Sequence, residues 1–193
     1  MNDTTFLTNL HEHMVLFQQL NGLDSSISQA IDACVQSLQK GGKLMLCGNG
    51  GSAADSQHLA AEFTGRFIKD RPPIAAVALS TDTSALTCIG NDYSFNDIFS
   101  RQVQALGKAG DCLIAISTSG NSGNVLAAVA AAKSLGISTI GLLGRDGGKL
   151  KTQCDIAIVV PSQVTARIQE AHILIGHSLC GAVELKLGLV SAD

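Results

Sequence analysis

The sequence predicts a doubly wound α/β fold built on a parallel sheet, and three observations support this. Its 193 residues are 46% hydrophobic and only 15% charged, which excludes an intrinsically disordered chain. From Lys43 onward, short apolar runs alternate with segments of helical periodicity. The runs are continuously apolar, as expected of parallel strands that are buried on both faces. We therefore expect one domain over residues 1–193, with a helical part over 1–41 and an α/β core over 42–193.

The first forty residues are predicted to form two helices. Apolar residues recur at intervals of three and four over residues 6–20 and again over 27–38. Asp24 and Ser25 are candidates for the N-cap of the second helix, because short polar side chains accept hydrogen bonds from free backbone N–H groups.

The core is predicted to alternate strands with helices. We expect strands at 43–47, 75–79, 112–117, 138–143 and 156–160, and helices at 52–67, 83–90, 95–105 and 122–135. The last segment, 165–187, is one long helix that is apolar on most sides. Monomers rarely expose that much apolar helix, so we expect a homo-oligomer with this helix and the N-terminal helices at its interface, although packing within one larger core is an alternative.

Composition excludes several other classes of protein. A net charge of −3 argues against nucleic acid as a partner, and the longest apolar runs fall short of the roughly 20 residues that a bilayer needs. Residues 1–4 lack the basic start of a secretory leader. The six cysteines include no C-x-x-C pair, so we expect reduced, mostly buried thiols and a cytoplasmic location.

A glycine-rich motif, C-G-N-G-G-S, links the first strand to the next helix. Its members Asn49, Gly50, Gly51 and Ser52 form a turn where the backbone can approach a ligand closely and the helix offers free N–H groups. An ordinary tight turn with Ser52 as N-cap explains the same residues equally well.

A second motif, I-S-T-S-G-N-S, leaves the third strand and enters a helix. Its hydroxyl residues are Ser117, Thr118, Ser119 and Ser122, and hydroxyls at a helix N-terminus match phosphate oxygens. The motif has neither the lysine of a P-loop nor the G-x-G-x-x-G spacing of a dinucleotide turn. We therefore expect a sugar phosphate here and no nucleotide cofactor.

Two pairs of residues could carry chemistry. His58 and Glu62 are four apart on one helix face, which suits a metal pair or a base beside a second titratable group, but also a solvated face with Arg66 as the ion-pair partner of Glu62. Gln169 and His177 are eight apart, about 80° around a helix and about 12 Å along it. His177 interrupts an apolar stretch and needs a partner if it is buried.

These motifs, with G-N-D and R-I-Q-E-x-H-x-x-x-x-H, resemble in their order the phosphoheptose isomerases of the sugar isomerase (SIS) domain superfamily. The resemblance spans nearly the whole chain. It implies a flavodoxin-like SIS domain in a homotetramer with active sites at subunit interfaces. It also implies conversion of sedoheptulose 7-phosphate to D-glycero-D-manno-heptose 7-phosphate, the first step toward the heptose of lipopolysaccharide.

The resemblance also implies roles for individual residues. Glu62 and His177 would be the catalytic pair, and His58, Glu62, Gln169 and His177 would bind one zinc ion per subunit. The residues that would contact substrate are Asn49, Gly50, Gly51, Ser52, Glu62, Asn91, Asp92, Ser117, Thr118, Ser119, Ser122 and Gln169.

Two non-catalytic functions are alternatives. Some SIS relatives act as tetrameric adaptors for the bacterial replication initiator, and a sugar-phosphate sensor would use the serine-rich loop without chemistry. Neither function needs both Glu62 and His177, so their presence favours the enzyme.

Overall fold

The computed structural model describes residues 4–191; residues 1–3, on which the leader expectation partly rests, lie outside it. Five parallel strands form one sheet in the order β2-β1-β3-β4-β5. This is the flavodoxin-like order, so the predicted fold class is confirmed. The strands are β1 (Leu44–Cys47), β2 (Ala76–Ala78), β3 (Cys112–Ser117), β4 (Ser138–Gly144) and β5 (Ile156–Val160).

Helices cover both faces of the sheet. They are α1 (Thr5–Gln19), α2 (Asp24–Gln39), α3 (Gly51–Thr64), α4 (Thr83–Asp92), α5 (Ser100–Leu106), α6 (Gly123–Ser134), α7 (Leu150–Gln153) and α8 (Thr165–Lys186). The first three and α8 bury one core, and α4 to α7 bury the other. Leu44 and Leu46 of β1 enter the first core and Met45 and Cys47 the second, which is why the strand is apolar at every position.

The start of α2 corrects the predicted cap. A 3₁₀ turn (Leu20–Leu23) joins the first two helices directly, and Leu23 is the N-cap residue without a side-chain hydrogen bond. Asp24 is therefore already the first helical residue, and neither it nor Ser25 caps the helix. The capping prediction fails because the backbone keeps helical angles through the 3₁₀ turn. The first N–H groups of α2 therefore have little need of a side-chain acceptor.

Other boundaries also differ from the prediction. The helix expected over 52–67 ends at Thr64, and the one expected over 95–105 is divided into a 3₁₀ turn (Phe95–Asp97) and α5. Ser94 causes this division, since its Oγ accepts a hydrogen bond from Asn96 N and lies 2.6 Å from Asp97 Oδ2. The short α7 is a further element that the pattern does not predict.

The two long terminal helices differ in how much apolar surface they bury. Ten residues of α8 are buried, whereas Leu16 is the one buried residue of α1 within residues 5–19. Phe6 is 70% exposed and Met14 51%, and Leu10 lies between them on the same face. We call Phe6, Leu10 and Met14 the α1 stripe; nothing within the described chain covers it.

Two further expectations concern composition. Five of the six cysteines are buried, as expected, and Cys88 is exposed. Between residues 4 and 191, no helix combines the length and the apolar character required to cross a membrane.

Candidate active site

The two polar loops meet at the carboxyl edge of the sheet. β1 and β3 are hydrogen-bonded neighbours, with Cys47 paired to Ala115, so the chain leaves both strands at the same edge. Open α/β sheets bind ligands at this edge, beside the point where the strand order reverses. This topology places the loop after β1 beside the loop after β3.

A pair of amides joins the loop after β1 to α6. Asn49 Nδ2 donates to Asn124 Oδ1 over 2.9 Å, and Asn124 Nδ2 donates back to Asn49 Oδ1 over 2.8 Å. Asn124 is buried, so water cannot replace these two hydrogen bonds at its amide. Sequence analysis did not identify Asn124, although an asparagine in the first turn of a helix is itself a signal that its side chain has a partner.

Gln169 of α8 packs against the glycine turn after β1. Gly50 precedes α3 with φ +56°, a left-handed angle that favours glycine. A Cβ atom on Gly51 would lie 2.3 Å from Gln169 Nε2, so the Gln169 amide rests directly against this backbone. Ser52, in contrast, is buried inside the first turn of α3 and is not its N-cap.

The serine-rich loop surrounds the N-terminus of α6. Ser117 Oγ and Ser122 Oγ are 2.9 Å apart, and Ser122 is the N-cap residue of this helix. Thr118 and Ser119 are partly exposed, and Ser119 Oγ accepts a hydrogen bond from Asn121 N. Hydroxyls thus lie beside the free N–H groups and the positive end of a 12-residue helix, an arrangement that suits an anion.

The loop after β4 packs against the serine-rich loop. Gly120 has φ +65°, and a Cβ atom there would lie only 1.9 Å from Gly147 O. Lys149 N donates to Asn121 Oδ1, and Leu150 N donates to Gly120 O. The loop after β3 and the loop after β4 are therefore fixed to each other.

Glu62, His58 and His177 form a cluster between α3 and α8. His58 Nε2 lies 3.1 Å from Glu62 Oε1, and the ligand atoms of all three side chains lie within 4.8 Å of one another. The rings of His58 and His177 meet edge to face with centroids 5.0 Å apart, and the Phe67 ring packs on His177 at 5.3 Å. Glu62 thus pairs with His58, whereas Arg66 donates to Ile68 O.

The G-N-D motif lies at the end of α4. Asn91 Nδ2 donates to Asp92 Oδ1 over 2.9 Å, and Cys88 Sγ donates to Asp92 Oδ2 over 3.4 Å. The hydrogen bonds from Asn91 and then Cys88 lower the pKa of Asp92. These hydrogen bonds join residues of α4 only, so the structure does not link Asn91 and Asp92 to the cluster of Glu62, His58 and His177.

Asp55 is a further polar residue on the active face of α3. It is one turn from His58, and its Oδ2 is buried without a hydrogen-bond partner among the described residues. Burial raises the pKa of Asp55, and nearby His58 opposes this shift. Gly51, Asp55, His58 and Glu62 are spaced by three or four residues and so share one face of the helix.

His172 has a structural position. It is buried, and its Nε2 lies 3.0 Å from Leu143 O. Burial lowers the pKa of His172 to about 4, despite the hydrogen bond to that carbonyl, so the imidazole is neutral near pH 7.

Comparisons with known proteins show the family and the fold of this chain. The family model of the SIS domain matches residues 10–144. The phosphoheptose isomerase of Rhodospirillum rubrum is 55% identical over 168 residues, covering 87% of this chain and 89% of the relative. The structure of phosphoheptose isomerase from Neisseria gonorrhoeae superposes with a TM-score of 0.89 at 48% identity, covering 93% of this chain and 97% of that one. The corresponding structure from Francisella tularensis gives a TM-score of 0.90 at 39% identity over 93% and 96% of the two chains.

Proposed function

This chain belongs to the phosphoheptose isomerases of the SIS domain family, and we propose that it converts sedoheptulose 7-phosphate to D-glycero-D-manno-heptose 7-phosphate. It is a sugar phosphate isomerase, which decides between the enzyme and the two non-catalytic alternatives that the sequence left open. The particular substrate, the enediol mechanism and a role in making the heptose of lipopolysaccharide are parts of the proposal.

The observation that carries the proposal is the position of Glu62 beside His177. A ketose becomes an aldose when a proton leaves C1, an enediol forms, and a proton returns to C2. In our proposal the Glu62 carboxylate takes a proton from C1, exchanges it with solvent while the enediol is bound, and returns a proton to C2, while His177 supplies and removes protons at the sugar oxygens. A carboxylate oxygen of Glu62 and a ring nitrogen of His177 lie within 4.8 Å of each other, so one can reach C1 and C2 of a substrate while the other reaches their oxygens.

The serine-rich loop is the proposed phosphate site. Ser119 and Ser122 offer hydroxyls at the N-terminus of α6, whose free N–H groups favour a negative charge. Local donors therefore compensate for the overall charge of −3. Gln169 and Asn49 border the glycine turn and are proposed to bind the sugar hydroxyls between the phosphate and the catalytic pair.

We also propose a zinc ion at the cluster of His58, Glu62 and His177. Two imidazoles and one carboxylate are ligand types that zinc prefers, and their spacing within 4.8 Å is close to what one tetrahedral ion requires. Bound zinc would polarise the substrate oxygens as a Lewis acid. Gln169, the fourth ligand implied by the resemblance, lies against Gly51 and about 12 Å along α8 from His177, so we assign it first to the substrate.

The homotetramer is a proposal that the α1 stripe supports. Phe6, Leu10 and Met14 present an apolar face that one chain leaves uncovered, and such faces in soluble proteins commonly bind another subunit. Light scattering coupled to size-exclusion chromatography tests it, and a Phe6→Ser, Met14→Ser variant should dissociate. The cytoplasmic location stays a prediction.

The experiment for the reaction is incubation with sedoheptulose 7-phosphate in D2O, followed by NMR. We expect a new aldose signal with deuterium at C2, and about a 1,000-fold slower reaction in the Glu62→Gln variant. Repeating it with added zinc and with a chelator tests the metal.

Glu170→Gln is a matched control. Glu170 also pairs with a histidine, His13, over 2.8 Å and is half-buried, but it lies in the first turns of α8, where its partners are His13 of α1 and Arg167. Absence of the aldose signal in the wild type under every condition would reject this substrate. An equal loss in both variants would reject Glu62 as the base.

A further inference from the structure

Arg71 is a buried cation below the catalytic pair, and its hydrogen bonds end α3. Its side chain is fully buried. Nη2 donates to Glu62 O over 2.7 Å, and Nη1 donates to Phe63 O over 2.7 Å and to Gly65 O over 3.1 Å. These carbonyls belong to the last turn of α3 and to the residue after it. The last carbonyl groups of a helix have no N–H partner within the helix, so they need a donor from another part of the chain. Arg71 thereby fixes the backbone of Glu62 itself.

Glu184 is the partner of Arg71 on α8. Arg71 Nε donates to Glu184 Oε1 over 2.8 Å, and the Glu184 side chain is 2% exposed. The same oxygen accepts a hydrogen bond from Phe67 N over 3.2 Å. The Phe67 ring in turn packs on His177, with centroids 5.3 Å apart. Glu184 is also seven residues after His177 and so lies on the same face of α8.

The ion pair of Arg71 and Glu184 is therefore linked to each member of the catalytic pair through one intervening group. It reaches Glu62 through the backbone carbonyl and His177 through Phe67. We propose that Arg71 and Glu184 are positioning residues of the isomerase, which set the separation of Glu62 and His177 by fixing α3 to α8. This inference rests on the proposed roles of Glu62 and His177.

Arginine suits this role because its donors point in fixed directions. The guanidinium presents its five donors in a planar fork, and here the fork joins one carboxylate and several carbonyls at fixed angles. A lysine keeps the charge but concentrates its donors at one point, so it cannot hold Glu62 O, Phe63 O and Glu184 together. Displacement of a catalytic group by about 1 Å can cost 100-fold in rate, so a small rotation of either helix is enough to matter.

The test compares Arg71→Lys with Asp111→Asn. Asp111 is an equally buried carboxylate in an ion pair with Lys43, but it lies at the amino edge of the sheet. We expect Arg71→Lys to lower kcat at least tenfold with KM within twofold, and Asp111→Asn to lower the urea midpoint while leaving kcat unchanged. Unchanged kcat in Arg71→Lys, or the same loss of kcat in both variants, would overturn the proposal.

A second measurement does not depend on the substrate. In protein with protonated Phe and His in a deuterated background, the Phe67 and His177 rings should show an NOE that weakens in Arg71→Lys and persists in Asp111→Asn. If the wild type did not isomerise sedoheptulose 7-phosphate, this NOE would still decide the positioning role. Persistence of the NOE in Arg71→Lys would reject it.

A double variant separates positioning from folding if Arg71→Lys does not fold. Replacing a buried ion pair by apolar residues is often neutral for stability, so Arg71→Met with Glu184→Leu should fold. We expect its kcat and the NOE to stay low, because nothing then joins α3 to α8 at this point. Recovery of wild-type kcat in this variant would show that only stability was involved.

Discussion

The two edges of the sheet treat buried polar groups in opposite ways. At the amino edge, Asp111 has no exposure to solvent and accepts hydrogen bonds from Lys43 N, Lys43 Nζ and Lys108 N. Asp155 likewise accepts hydrogen bonds from the N and Oγ1 of Thr139. Each carboxylate is satisfied by the chain itself and joins neighbouring strands.

At the carboxyl edge, polar groups keep capacity for another molecule. Ser117 and Ser122 bond each other over 2.9 Å, and Asp55 Oδ2 has no partner within the described chain. A buried polar group without a partner costs stability, so a fold retains such groups where a ligand will complete them. The comparison separates Asp111, whose two oxygens both accept hydrogen bonds from the chain, from Asp55, which keeps one oxygen without a partner among the described residues. Substitutions at the two edges should therefore have separable effects.

The largest effect that we expect is on the pH dependence of stability, through His172 beneath the carboxyl edge. Its pKa is about 4 in the folded chain and 6.5 ordinarily. The unfolded chain binds this proton first, so the stabilisation is complete above pH 6.5 and lost as the pH falls to 4, by about 3 kcal/mol. In urea unfolding at pH 7 and pH 4, the wild type should lose about 3 kcal/mol more than His172→Gln. Parallel losses would contradict this.

The next effect isolates the amino edge. Burial works to raise the pKa of Asp111, but hydrogen bonds from Lys43 and Lys108 outweigh it and lower the pKa. Asp111→Asn should reduce the free energy of unfolding by about 2 kcal/mol, because charge-assisted bonds to a buried group are lost. Its kcat should equal that of the wild type. Asp155→Asn, at a half-exposed position, is the control and should cost less than 1 kcal/mol.

At the carboxyl edge, Gly51→Ala should lower activity and leave stability nearly unchanged. The new Cβ displaces the flexible end of Gln169, so the free energy of unfolding should change by less than about 1 kcal/mol. Activity should fall about tenfold if the Gln169 amide binds substrate. Gly22→Ala is the matched control, since a Cβ there meets nothing within 4 Å. Full activity in Gly51→Ala would remove Gln169 from the site.

The smallest effect should come from Ser119→Ala. Loss of one hydroxyl from the phosphate site should raise KM about fivefold, with kcat and the urea midpoint nearly unchanged. Ser84→Ala in the first turn of α4, which is exposed, should change neither. A lower kcat with an unchanged KM would mean that Ser119 does not act in ground-state binding.

The sequence predicts this fold well because its strands are marked locally. The run of residues 112–117 is buried at every position, and loops rich in glycine, serine or threonine follow β1 and β3, which lead into the site. Residues four apart on one helix, such as His58 and Glu62, must also lie on one face. Local spacing thus predicts the loops and two of the three residues of the cluster, His58 and Glu62.

What the sequence did not predict depends on contacts between distant residues. Arg71 and Glu184 are 113 residues apart, and Asn49 and Asn124 are 75 apart, and no local spacing indicates either pair. The prediction of a side-chain cap for α2 was wrong because the preceding 3₁₀ turn already holds the backbone in a helical conformation. The meeting of His58 with His177 likewise requires the packing of α3 on α8, which periodicity does not specify.

The exposed thiol has a practical consequence. Among the six cysteines, all within the described part of the chain, only Cys88 reaches the surface, one helical turn before Asp92. A maleimide fluorophore can therefore be attached at a single native position, beside residues expected to contact the sugar. The hydrogen bond to Asp92 raises the pKa of this thiol, so labelling will proceed best at alkaline pH. The labelled protein offers an optical assay for sugar phosphates and inhibitors that needs no turnover.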